Sequence, residues 1–197
     1  MAAVRSTANF NWTFIALLAF VAYVYASEYK ARNWAGIAAG LALYAVHWLY
    51  EIVNAIIASV SGYALWTVSP ESTTFILLVG VSWELSMMFA VAGIITHKLL
   101  PDDPHKKILG INNRVLFAVI NAAGFSLVEI FLAGTPAFIW AYPWWGALPV
   151  FVTTYIPFFL AAFLVPDRPV RTQKIFIGGL VGLDIVLLAV LIPLGVI

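Results

Sequence analysis

Six runs in this chain are long enough and apolar enough to cross a lipid bilayer, and that property decides which folds are open to it. A spanning helix needs about 20 mainly apolar residues. Runs of that kind cover residues 10–27, 34–58, 74–96, 115–133, 146–165 and 175–197. In hydrocarbon, backbone N–H and C=O groups find no water, so each run must close its own hydrogen bonds as a helix. The predicted fold is all-α: a polytopic integral membrane bundle of about six transmembrane helices, forming one domain over residues 1–197. Only 10% of the residues are charged and 63% are hydrophobic, too few charges to coat a soluble domain. The first run reads as a spanning helix rather than a cleaved leader. Only Arg5 precedes it, and Tyr23, Val24 and Tyr25 fill the stretch where small residues would mark cleavage.

Orientation follows from the cations. Lys30 and Arg32 follow the first run, Lys98, Lys106, Lys107 and Arg114 lie between the third and fourth, and Arg168, Arg171 and Lys174 lie between the fifth and sixth. Arg5 alone falls on the other side. Basic loops stay in the cytoplasm, so both termini are expected outside, which an even number of helices satisfies. Residues 135–145 carry no charge and are rich in Trp and Tyr, as an outer interfacial belt would be, or a lid over a lipid-facing cavity. Gly36-x-x-x-Gly40 and Gly178-x-x-x-Gly182 permit close helix packing; a homo-oligomer is left open. A net charge of +1 gives no footprint for nucleic acid, and the absence of cysteine excludes disulfides, thiol catalysis and Cys-ligated metal. No Gly-rich nucleotide fingerprint is present.

Against that apolar background, five ionisable side chains fall inside the runs: His47, Glu51, Glu84, Glu129 and Asp184. An Asp at a helix centre costs about 2.5–3.5 kcal/mol on insertion scales, so such residues mark a site by default. His47, Glu51 and Asn54 are spaced i, i+4, i+7 and share one helix face. At ~1.5 Å rise per residue Glu51 lies in the outer half of its helix. Glu84 is expected about ten residues into the third helix, Glu129 near the outer end of the fourth with Asn121 below it, and Asp184 near the middle of the last. By depth, all four acids can converge in the outer half. No Lys or Arg lies in the runs to balance them, so burial and mutual repulsion disfavour ionising all four at once. Each also has a structural reading: Glu129 at the interface, Asp184 as packing glue, His47 as a core histidine holding Glu51.

A neutral carboxylic acid in an apolar pocket can donate a proton to an alkene or epoxide. The resulting cation can rest against aromatic faces such as Tyr50, Trp83 and Phe125. A second carboxylate or His47 then removes a proton. The expected catalytic set is Glu51, Asp184, Glu84 and His47, with Asn54, Tyr50, Trp83, Asn121, Phe125 and Glu129 lining a site for a hydrophobic isoprenoid or lipid. No cofactor and no metal are expected, since one intramembrane His is too few for a His-rich diiron centre.

Ala22-Tyr23-Val24-Tyr25-Ala26-Ser27, a short basic turn, and a second helix carrying Tyr50-Glu51 resemble the integral-membrane terpene cyclases of the meroterpenoid type. That resemblance implies a small all-helical chain with acids at Glu51 and Asp184. The family has seven helices and a Trp directly before the Glu, whereas here Trp83-Glu84 carries that pair on the third helix. His47-Trp48-Leu49-Tyr50-Glu51 together with Glu84 also resembles the emopamil-binding family, which includes sterol isomerases and sigma-2-like proteins. The sixth helix and the lack of Asn in the fifth depart from that pattern. The same acids would also suit a proton- or cation-coupled transporter or a lipid-binding protein, and the short loops an accessory subunit of a membrane complex.

Overall fold

Helix α2 (Trp34–Ser61) is the axis around which the other helices pack. Its first half is built from small residues, with Gly36, Ala38, Ala39, Gly40, Ala42 and Ala45 all buried, so neighbouring backbones approach closely. Gly93 of α3 (Trp83–His97) lies against it so tightly that an added Cβ would sit 2.5 Å from the Ala39 carbonyl oxygen. The first Gly-x-x-x-Gly pair is thus spent inside the chain. At Gly178 and Gly182 of α6 (Val170–Leu191) an added Cβ would meet nothing.

The computed structural model describes residues 4–197 and is mainly helical. Besides α2, α3 and α6, it contains α1 (Trp12–Lys30), α4 (Asn113–Ala133) and α5 (Ala147–Leu164). Five of these are long and apolar enough to cross a membrane. The exception is α3, whose 15 residues span ~22 Å at ~1.5 Å per residue, short of a ~30 Å hydrocarbon core.

That shortfall corrects the expected helix over 74–96. Its first part is a hairpin of β2 (Ile76–Leu78) and β3 (Val81–Ser82), and the helix starts at Trp83 with Ser82 as its N-cap. Hydropathy alone cannot separate a short apolar strand from a buried helical turn. Gly80, in the turn, cannot carry a side chain there: a Cβ would lie 2.7 Å from Glu51 Oε2. A second pairing joins distant loops. β1 (Trp66–Val68), after α2, runs antiparallel to β6 (Phe138–Trp140), after α4, with Trp66 opposite Trp140. The belt segment therefore holds a strand, and Phe138 on it and Trp66 on β1 are buried. A third hairpin, β4 (Lys107–Ile108) with β5 (Ile111–Asn112), lies in the basic loop before α4.

The two ends of the bundle are distinct. At one end, the Arg5 guanidinium donates to the Ile197 main-chain oxygen at 2.8 Å, so the two ends of the chain share a side. At the other end the three basic loops gather: Lys98 pairs with Glu28, and Arg114 with Asp167 at 2.8 Å.

Candidate functional site

Two carboxyls, Glu51 of α2 and Glu129 of α4, line one cavity. Glu51 and Glu129 are 5% and 8% exposed. Glu51 accepts from the Trp66 indole N–H at 3.2 Å. Glu129 accepts from the Tyr155 hydroxyl at 2.5 Å and from the Trp140 indole at 2.7 Å. Each carboxyl is therefore held by neutral donors. Among the described residues the cavity wall carries no Lys or Arg.

His47 lies one turn from Glu51 with its Nε2 3.4 Å from Glu51 Oε1, close but not aligned as a hydrogen bond. Its ring stacks on Phe89 at 4.2 Å between centroids and meets the edge of Phe158 at 5.9 Å. Those rings and Phe125 form the apolar wall. Asn54, the third residue on that face, does not reach the cavity. Its amide donates to the Trp66 carbonyl at 2.9 Å and accepts from the Leu65 N–H at 2.7 Å. It pins β1, and β1 aims Trp66 at Glu51.

The fifth helix contributes through a break in its regularity. Over Phe151–Tyr155 it widens into a π turn. π turns inside α-helices recur at functional sites because they redirect side chains. Here Thr154 and Tyr155 face the cavity, and Tyr155 reaches Glu129. The cavity mouth lies between α3 and α4, where Met88 and Val128 line it while being 36% and 52% exposed on the outer surface of the bundle. α3 packs mainly on α2, and α4 on α5, which leaves this lateral gap.

The remaining sequence candidates lie elsewhere. Glu84 is the second residue of α3, and its carboxyl accepts from the Thr73 hydroxyl and, at 2.7 Å, from the Thr74 N–H, fastening the segment before the hairpin. Trp83 stacks on Phe14 of α1 at 3.8 Å and donates to its carbonyl. Asp184 is buried on α6, outside the cavity wall, and its Oδ1 has no partner among the described residues. Asn121 returns its amide to the Phe117 carbonyl. Tyr50 packs edge-on against Phe158 at 5.1 Å. Trp66, Trp140, Thr154 and Tyr155 escaped the sequence reading. The aromatic richness of residues 135–145 was the one signal pointing to any of them.

A family model described as an uncharacterized membrane protein family matches residues 1–193. A relative from Archaeoglobus fulgidus, itself described as an uncharacterized protein, is 40% identical over 194 residues, covering 96% of this chain and 92% of the relative. No solved structure matches the chain. These matches lend no support to the terpene cyclase or emopamil-binding resemblance. Multi-pass topology, five spanning-length helices and a match over nearly the whole chain agree, and the protein belongs to this family of integral membrane proteins.

Proposed function

We propose that the protein is an enzyme that isomerises or cyclises an isoprenoid or related lipid by proton transfer between Glu51 and Glu129, with His47 beside Glu51. The observation that carries this reading is the meeting of two buried carboxyls on one aromatic-walled cavity whose mouth opens on the lipid-facing surface. One carboxyl, protonated, gives its proton to an alkene carbon or epoxide oxygen. The cationic carbon faces Phe89, Phe125 and Phe158, where ring faces attract positive charge. The other carboxylate removes a proton from a neighbouring carbon. The product has the formula of the substrate, and the two carboxyls have exchanged protonation states. An enclosed wall keeps water from capturing the cation. The reading assigns no proton transfer to Glu84 or Asp184.

Lipid extracts of a host making the protein test this by mass spectrometry. The wild type should yield a lipid of unchanged mass and altered retention. Glu51→Gln keeps an acceptor for the Trp66 N–H but removes the acid, so product should fall by about 10²–10⁴-fold while the protein still accumulates in the membrane. A variant that keeps its product removes Glu51 from the mechanism. A wild type with no product rejects turnover, and leaves the cavity to a lipid-binding or transport role that liposome flux would read.

A further inference from the structure

Hydroxyls on membrane helices usually return their hydrogen bond to a carbonyl one turn back. Thr96 does so to Ala92, Ser126 to Ala122 and Thr153 to Pro149, at 2.7 to 2.8 Å. Thr154 does not. It is 6% exposed, it lines the cavity, and its Oγ1 has no partner among the described residues. It stands in the π turn beside Thr153, which keeps its bond to Pro149. Leaving a buried hydroxyl unsatisfied is costly. Here it belongs to a residue of a mainly apolar cavity wall that also holds His47 and two carboxyls. A hydroxyl both donates and accepts, so its complement is a single neutral oxygen function.

We infer that Thr154 is the recognition point for an oxygen on the lipid that enters this cavity, so that the ligand is an oxygenated isoprenoid (an alcohol, ketone or epoxide) and not a plain polyene hydrocarbon. The inference rests on the cavity proposed above as a lipid site, and it names the class of lipid. The oxygen-bearing end enters between α3 and α4, past Met88 and Val128, and the remainder stays among the acyl chains outside. Nothing covalent is required of Thr154; it orients the ligand.

Binding to the full chain in nanodiscs tests this with two probes: geranylgeraniol, and the C20 hydrocarbon in which its terminal CH₂OH is replaced by CH₃. Partition into the nanodisc lipid cancels when the alcohol-to-hydrocarbon ratio of Kd is compared between proteins. The wild type should favour the alcohol over Thr154→Val by roughly three- to tenfold in that ratio. The hydrocarbon affinity should be the same in both, and Thr154→Ser should restore the preference. Thr154→Ala is the second variant and should behave as Thr154→Val. An unchanged ratio in the variants, or no binding of either probe to the wild type, overturns the inference. Binding is read without turnover. An alcohol preference in a protein with no lipid product would sink the enzymatic reading alone, whereas turnover with no Thr154-dependent preference would sink this one alone.

Discussion

At the basic end of the bundle, buried charge meets opposite charge: Arg114 with Asp167, and Glu28 with Lys98. At the other end, Glu51 and Glu129 are buried about as deeply as Arg114, accept hydrogen bonds from Trp66, Trp140 and Tyr155, and have His47 beside Glu51 but no Lys or Arg on the cavity wall among the described residues. An ion pair fixes the protonation of both partners, because losing or gaining a proton leaves a charge uncompensated. Neutral donors also favour the carboxylate, but without the full charge of a cationic partner. The first arrangement ties loops together; the second holds the two carboxyls on the cavity wall without an ion pair. The difference separates the acids that hold the fold from those to which we assign proton transfer, although both are rare residues in an apolar chain.

The largest effect expected from breaking the first arrangement is at Arg114. Its guanidinium donates to Asp167, to the Pro101 carbonyl at 2.7 Å and to the Asn113 side chain at 2.7 Å, joining both basic loops that flank α4 and α5. Arg114→Met would strand a carboxylate and several acceptors. Removing one partner of a buried pair costs about 3–5 kcal/mol, and Asp167 is partly exposed, so about 3 kcal/mol is expected. The unfolding midpoint in detergent, followed by tryptophan fluorescence, measures it. A loss below about 1 kcal/mol would mean that the basic end is solvated like any surface, and the comparison would collapse.

How much of this was legible in the sequence depends on how local each feature is. The spans follow from hydropathy, and five of six were placed within a few residues at most boundaries. His47, Glu51 and Asn54 are all buried on α2, whose helical spacing puts them on one face, but Asn54 holds β1 and does not line the cavity. Glu84 was set too deep because Ile76–Leu78 and Val81–Ser82 read as helix. That error moved it from a loop fastening to a supposed mid-membrane acid. The pairing of Trp66 with Trp140 spans the length of α3 and α4, and no local pattern encodes its register. The π turn at Phe151–Tyr155 has no residue signature that distinguishes it from α-helix, so Thr154 and Tyr155 could not be found. The first apolar run stops at residue 27, whereas α1 continues through Glu28, which pairs with Lys98.

A smaller effect is expected at Asn54, and it bears on the cavity end. Asn54→Leu is close in volume but leaves the Leu65 N–H and the Trp66 carbonyl without their partners. An unsatisfied buried pair of this kind costs about 1–3 kcal/mol. The sharper readout is functional. With β1 unpinned, Trp66 no longer aims its indole at Glu51, so lipid product should fall even at temperatures where the variant is fully folded. If stability drops and product does not, Asn54 is a packing residue and the Trp66–Glu51 contact is incidental.

The smallest effect is expected at Lys98, and it decides what the comparison measures. Lys98 is 55% exposed at its side chain while its partner Glu28 is 7% exposed. Lys98→Met should cost about 0–1 kcal/mol, and the difference from wild type should shrink in 1 M salt, because exposed cations are screened. Arg114 and Lys98 lie at the same end and each pairs with a carboxylate, so a large gap between the two variants would show that enclosure, not pairing, sets the energy. Enclosure is what Glu51 and Glu129 share with Arg114, and a cationic partner is what they lack. If Lys98→Met instead costs as much as Arg114→Met and ignores salt, every charge at the basic end is sealed. The lack of a Lys or Arg beside Glu51 and Glu129 among the described residues would then be the one property separating the two groups of acids.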